Sequence, residues 1–189
     1  EAQAGAGEFE NAVMLIAEIN DTELRSQAFA MVAVLQADRS QLNEAKILFG
    51  RAVKNAKQVE DSFDRDVVWS KIAEGQASAG MVEESLTTAK SIGDGWEYSR
   101  ALASIAQIQS SLGDKRKANE IFKKAVEEAE SFQDYNNFLP ATLGFIIEKM
   151  LEANEGSEAK AILERITEPT ARVGASLMFA NNQIELGQP

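Results

Sequence analysis

The chain has 189 residues, is 44% hydrophobic and 26% charged, and carries a net charge of −11. That apolar content suits a packed protein and excludes a disordered one. The acidic balance argues against nucleic-acid binding and against attraction to anionic membranes. With neither Cys nor His, disulfides, thiolate nucleophiles, His general bases and Cys/His metal sites are absent by composition.

The chain opens Glu1-Ala2-Gln3, with no initiating Met, no signal-like segment and no apolar run long enough to span a bilayer. This start reads as a processed protein or a piece of a longer one, and it leaves the compartment open. Gly5-Ala6-Gly7 has the G-x-G form without a preceding strand, so it is expected to be a turn between helices, not a phosphate loop. Helix-break residues then follow at Ser40, Gly80, Gly113, Asn154 and Gly187. Counted from Gly7, the spacings are 33, 40, 33, 41 and 33. The alternation predicts a two-unit super-repeat of 73 or 74 residues. Side chains agree: a shift of 73 places Ala33, Gln36, Ala45, Phe49, Ala52 and Asp61 on Ala106, Gln109, Ala118, Phe122, Ala125 and Asp134.

Each unit reads as a first helix, a tight turn and a second helix. Trp69, Ile72, Ala73 and Gln76 fall on one helical face, as do Ser85, Ala89 and Ile92 after Gly80. No stretch shows the alternation of a strand. Small residues recur where the paired helices should cross: Ala33 with Ala45, Ala73 with Ser85, Ala106 with Ala118. Long units place an aromatic before a small residue (Phe49 with Ala52, Phe122 with Ala125), and short units place a smaller or aliphatic residue before an Ile (Ala89 with Ile92, Leu163 with Ile166). The long units should carry about two extra turns in the second helix. Start signals are Asn20 with Glu23, Asp94 with Glu97, then Asp61, Asp114 and Thr167, while Pro140 and Pro169 suit helix starts. No Gly/Ser/Pro-rich linker appears. One continuous array over 1–189 is expected: a partial unit 1–19, units about 20–60, 61–92, 93–133 and 134–166, and a terminal helix 167–189.

The run Trp69-x-x-Ile72-Ala73-x-x-Gln76, Gly80, Ser85, Ala89 resembles the tetratricopeptide repeat, whose pattern is W-x-x-L-G-x-x-Y, then A-x-x-x-F, then P over about 34 residues. Leu102, Ile105, Ala106, Gly113, Ala118, Phe122 and Ala125 match its second helix better. The resemblance departs where Gln36, Gln76, Gln109, Met150 and Gln183 replace the Tyr, where the closing Pro is missing, and where unit length alternates. Other helix-pair solenoids stay open. The resemblance implies an all-α fold, a right-handed α-α superhelix (a TPR-like solenoid) of antiparallel helix pairs in alternating short and long units. It also implies a concave face of first helices that binds peptides or protein segments. Carried over by register, that face contains Gln27, Ala30, Val34, Ala37, Asp38, then Val67, Ser70, Glu74, Ala77, Ser78, then Arg100, Ala103, Gln107, Ser110, Ser111. It continues with Ala141, Gly144, Glu148, Leu151, Glu152 and with Gly174, Leu177, Asn181, Ile184, Glu185. The residues singled out for partner binding are Gln27, Val34, Asp38, Val67, Ser70, Glu74, Arg100, Gln107, Ser111, Glu148 and Glu152.

Arg100 is the only cation in that set, which argues against a carboxylate clamp and for a neutral-to-basic partner segment. The cluster Arg116, Lys117, Lys123 and Lys124 is expected to be a solvated face before a docking patch. Trp96 is expected either to anchor a partner or to seal the corner between units. Asn20-Asp21-Thr22 matches the glycosylation triplet, but the need for a helix cap accounts for it. Acidic pairs such as Glu83–Glu84 and Glu127–Glu128 lie on second helices, and no nucleophile elbow or phosphate loop accompanies them. The expected function is non-enzymatic: a protein–protein interaction scaffold needing no cofactor or metal, with no nucleic-acid partner and no membrane insertion. The alternative is a structural module that self-associates into a homo-oligomer through its open ends or convex face, because terminal repeats need polar capping faces.

Overall fold

The computed structural model describes residues 2–131 and 138–185. The expected Asp61–Asp134 correspondence and the break at Gly187 fall outside them. The described residues form ten helices and no strand: α1 Ala2–Ala17, α2 Thr22–Asp38, α3 Leu42–Ala56, α4 Ser62–Ser78, α5 Val82–Ala89, α6 Gly95–Ser111, α7 Lys115–Ser131, α8 Leu139–Glu152, α9 Gly156–Leu163 and α10 Pro169–Glu185. Consecutive helices pack as the pairs α2/α3, α4/α5, α6/α7 and α8/α9. Contacts divide the chain into two compact units, Glu1–Asp94 and Gly95–Pro189. In the first, α4 packs on both α2 and α3; in the second, α8 packs on both α6 and α7, and α10 covers α8 and α9.

The turn inside each pair is one repeated piece of backbone. Ser40, Gly80, Gly113 and Asn154 have φ of 62°, 75°, 95° and 61°. In each turn the next residue's N–H reaches back to the end of the first helix: Gln41 to Gln36 O (2.9 Å), Met81 to Gln76 O (2.8 Å), Asp114 to Gln109 O (3.1 Å) and Glu155 to Met150 O (2.8 Å). This satisfies carbonyls that the helix end would otherwise orphan, and it needs a left-handed residue. Gly makes it at no steric cost; Asn tolerates it, and Ser40 adopts it under strain. At the N-terminal end the expected breaks differ. The helix runs through Gly5–Gly7 without turning, since three helix-compatible small residues do not require a reversal.

Helix starts follow acceptor side chains. Asp21 accepts from Leu24 N (2.9 Å), Asp61 from Phe63 N (2.9 Å) and Asp64 N (3.1 Å), and Asp114 from Lys117 N (3.0 Å). The first cap is Asp21 and not Asn20, and at α10 the acceptor is Glu168 to Thr170 N (2.9 Å), not Thr167. In both cases the residue adjacent to the helix has the reach to N–H groups of the first turn. Pro140 lies within the first two positions of α8, and Pro169 opens α10.

Packing obeys the small-residue rule. Ala33, Ala45, Ala73, Ser85, Ala106 and Ala118 are fully buried, and Phe49 and Phe122 are buried to within 1%. The helices approach closely enough that the Ser85 hydroxyl donates across to Ala73 O at 2.7 Å. Ser26 does the same to Ala52 O at 2.8 Å. A side chain at Gly75 would press on Val34 Cγ2 and Phe49 Cε1, both at 3.2 Å. Length alternation is also present: α3 and α7 have 15 and 17 residues, α5 and α9 have 8 each. The short α5 is followed by a latch. Buried Asp66 of α4 accepts from Gly93 N (3.0 Å) and Asp94 N (2.9 Å).

Two glycine substitutions should act with opposite sign. Gly113→Ala forces a side chain into the left-handed region and should destabilise by about 1–2 kcal/mol, whereas Gly50→Ala, inside α3 with open space around it, should stabilise by about 0.5–1 kcal/mol. Urea unfolding midpoints at unchanged slope would check both. Ala106→Leu at the α6/α7 crossing should cost about 1–3 kcal/mol by overpacking, measured in the same way.

Candidate functional site

Exposure sorts the register-derived face by distance from the turn. Residues thirteen, six and two positions before the left-handed residue are accessible: Gln27, Val34 and Asp38 on α2; Val67, Glu74 and Ser78 on α4; Arg100, Gln107 and Ser111 on α6; Ala141, Glu148 and Glu152 on α8. Residues ten positions before it are Ala30, Ser70 and Ala103, all buried, and Gly144, half-buried. Three positions before it, Ala77, Ser110 and Leu151 are buried. The buried positions stand seven apart and so share one stripe of the helix. Ser70, expected to meet a partner, is 6% exposed. It belongs to this packed stripe, where small residues let the helix approach its neighbours.

In the first compact unit three of the six accessible residues have local contacts. Gln27 Nε2 donates to Glu23 Oε1 at 2.9 Å, Glu74 pairs with Lys71 at 3.5 Å, and Val34 lies against Gly75. The second unit gathers part of its own set, without Gln107, Ser111 and Glu152, at a cavity of about 500 Å³ on α6, α8 and α10. Arg100 and Glu148 line it, with Ala141, Gly144 and Gly174 from the same register-derived set. Phe145, Met178, Pro140 and Ala175 supply further apolar wall, and Glu168 and Thr170 come from the start of α10. A Cβ placed at Gly144 or Gly174 would meet nothing within 4 Å. The two glycines thus leave bare backbone facing empty space.

Arg100 is held by aromatic faces. Its guanidinium carbon lies 4.3 Å from the Phe145 ring centroid and 5.2 Å from that of Trp96. Trp96 in turn stacks on Phe138, with centroids 5.7 Å apart and planes 17° apart. Each cation–π contact contributes about 0.5–1 kcal/mol at a partly exposed position. Trp96 is thus half-buried against the residue that precedes α8. At the other end of the face Lys149 pairs with Glu152 at 2.9 Å and lies 5.5 Å from the Phe145 centroid. Gln107 donates to Ser111 Oγ at 3.3 Å.

Phe145 and Met178 were not singled out by register because they lie one position beside its groove residues. The signal that finds Arg100's setting was present: Trp96 and Arg100 are four apart on one helix, as are Phe145 and Lys149. The Glu185 side chain lies outside those described. The residues of the basic cluster differ in their surroundings. Arg116 pairs with Glu120 at 2.7 Å and Lys123 is exposed. Lys124 lies 5.6 Å over the Tyr98 ring, and its hydrogen bond to Tyr98, opposed by burial, raises its pKa above the ordinary lysine value. Among the described residues no helix is long and apolar enough to cross a membrane, and no three His, Cys, Asp or Glu side chains gather as a metal ion would need.

No family model matches the chain, and no curated protein does. The chain is similar in fold to a solved structure titled crystal structure of Ton1535 from Thermococcus onnurineus NA1, with a TM-score of 0.54 and 18% identity over 97% of this chain and 52% of that one. The chain thus spans about half the length of that protein.

Truncating Phe145 removes a wall of the cavity and one of Arg100's two rings. Phe145→Ala should lower stability by about 1–3 kcal/mol, less than a fully buried Phe costs because this ring is half-buried. Pairing it with Arg100→Met in a double-mutant cycle should return a coupling of about 0.5–1 kcal/mol, and a coupling of zero would refute the stacking role.

Proposed function

We propose that the chain is a tetratricopeptide-like, non-enzymatic protein–protein interaction scaffold that holds a neutral-to-basic peptide segment in the cavity on α6, α8 and α10. The observation that carries this is the convergence, in one open cavity, of register-derived first-helix residues (Arg100, Gly144, Glu148, Gly174) with apolar walls from Phe145 and Met178. An apolar pocket with a few convergent polar groups is the usual form of a binding site. The two bare glycine backbones admit a peptide main chain at close range. Glu148 offers an acceptor to N–H groups and cations, and Arg100, stacked on two rings, can present the N–H edge of its guanidinium to a carbonyl. The repeat of paired helices supports the tetratricopeptide-like arrangement.

The test uses the full chain and a panel of ten-residue peptides graded by net charge. Gly144→Leu fills open space in the cavity, so it should keep the fold and weaken binding at least tenfold. Glu148→Lys should weaken binding of basic peptides and strengthen that of acidic ones, by several-fold each at low salt. Unchanged affinities in both variants, read by fluorescence anisotropy, would place the partner elsewhere.

One observation favours a second reading, self-association. Val173, Leu177 and Ile184 of α10 are 60%, 60% and 73% exposed and share one face. A concentration-dependent mass in light scattering, lost in Leu177→Glu with Ile184→Glu, would support it; a persistent monomer would count against it.

A further inference from the structure

The first and last described helices expose positions that their counterparts bury. α10 matches α6 end for end at a shift of 74 residues. At that shift Ala180 stands where Ala106 crosses α7, and Leu177 and Ile184 stand at Ala103 and Ser110. Ala103, Ala106 and Ser110 are buried, and Ser110 Oγ donates to Ala153 O at the end of α8 (3.3 Å). Leu177, Ala180 and Ile184 are exposed, and among the described residues no helix follows to cover them. α10 is thus a first helix with open faces for a second helix and for a next first helix.

α1 and α2 present the complement. α1 ends as the short second helices end: Ile19 N–H donates to Ile16 O at 3.1 Å, as Ile92 does to Ala89 O (3.0 Å) and Ile166 to Leu163 O (3.2 Å). One residue earlier stand Leu15, Thr88 and Ile162. Thr88 and Ile162 are buried, whereas Leu15 is 66% exposed, and no described first helix precedes α1. On α2, Leu24, Met31 and Leu35 are each more than half exposed, sixteen, nine and five positions before the left-handed residue. Elsewhere those positions meet the preceding first helix: Phe138 stacks on Trp96, Phe145 lies against Arg100, and Gly75 abuts Val34.

We infer that copies of this chain stack head to tail, α10 of one copy packing against α1 and α2 of the next; this rests on the self-association reading above and names the second surface. The fit follows from register. α1 supplies the second helix over Ala180, and Leu15 turns inward as Thr88 and Ile162 do. The α2 stripe meets the α10 side that corresponds to Trp96 and Arg100. There Thr170 and Gly174 take the place of those large side chains and leave room for Leu24 and Met31. Neither stripe contains a charged residue, so docking buries no ion. Terminal repeats normally carry polar outer faces; these ends carry large apolar side chains. The two faces differ, so the contact is heterologous and can add copies without closing.

The test is sedimentation velocity of the full chain across concentrations. The chain should grow beyond a dimer, and salt should strengthen the growth by screening repulsion between copies of net charge −11. Met31→Glu with Leu35→Glu removes the head, and Leu177→Glu with Ile184→Glu removes the tail. Each double variant should weaken association about tenfold or more. All four side chains are exposed, so both variants should keep the fold, checked by unchanged helicity in circular dichroism. Mixed together, they should form a one-to-one dimer and stop there, because one retains only its tail and the other only its head. A persistent monomer of the unsubstituted chain would overturn this inference and the self-association reading together. Association that survives loss of the head, or a mixture that stays monomeric while the unsubstituted chain associates, would overturn the stacking alone and leave self-association through α10 standing.

Discussion

The structure depends on one backbone reversal made four times. A left-handed residue at Ser40, Gly80, Gly113 or Asn154 ends a helix, and the following N–H bonds back to Gln36, Gln76, Gln109 or Met150. The reversal fixes where the next helix starts, and therefore which side chains face each other across the pair. Residues seven before and five after the left-handed position meet at the crossing: Ala33 with Ala45, Ala73 with Ser85, Ala106 with Ala118 and Ile147 with Ala159, every one fully buried. In three of the four crossings both residues are small, so the backbones approach until the Ser85 hydroxyl can reach a carbonyl of the facing helix. In those three pairs small residues on both helices suit the tight turn, while the α8/α9 pair makes the same turn with Ile147 set against the small Ala159.

The alternation of long and short second helices follows from the same constraint. In a long pair the bulk is Phe49 or Phe122, followed three residues later by a fully buried Ala. In the short pair of the first unit the order is reversed, with Ala89 fully buried and Ile92 carrying the volume. With Ile92 carrying the volume just beyond it, α5 stops after 8 residues, and Asp66 of α4 accepts from the N–H groups of Gly93 and Asp94 that follow. Each compact unit thus contains one long pair and one short pair. The division at Asp94 falls between copies of the super-repeat, although no linker composition marks it.

Given that framework, the polar residues sort into those that serve packing and those that are displayed. Ser26 and Ser85 hydrogen-bond across pairs, and Ser70 and Ser99 are buried within them. Arg100 and Glu148 are displayed in a cavity, but on different terms. Arg100 is fixed by two aromatic rings, while Glu148 takes its place from helix register alone. A cation held by two rings and sharing a cavity with two glycines is an arrangement that helix register alone does not specify.

Much of this was legible in the chain. The four turns, the crossing residues, the two-turn excess of α3 and α7, and the caps at Asp61 and Asp114 are all set by residues within about one turn of each other, where propensity and hydrogen-bond reach decide. Cap positions off by one, at Asp21 and Glu168, reflect neighbours that compete for the same N–H groups. The shared face of the first helices was readable, yet Ser70 falls inside the packed stripe, because which of two adjacent faces is covered depends on where the neighbouring first helix lies. Phe145 beside Arg100 and the open space at Gly144 were not readable for the same reason. They are relations between residues far apart in sequence, brought together only when helix packs on helix. The sequence by itself determined the helices, their turns and their pairing, since these are local. Tertiary structure alone decided which polar groups are left facing a cavity, since that is set by the distances between helices.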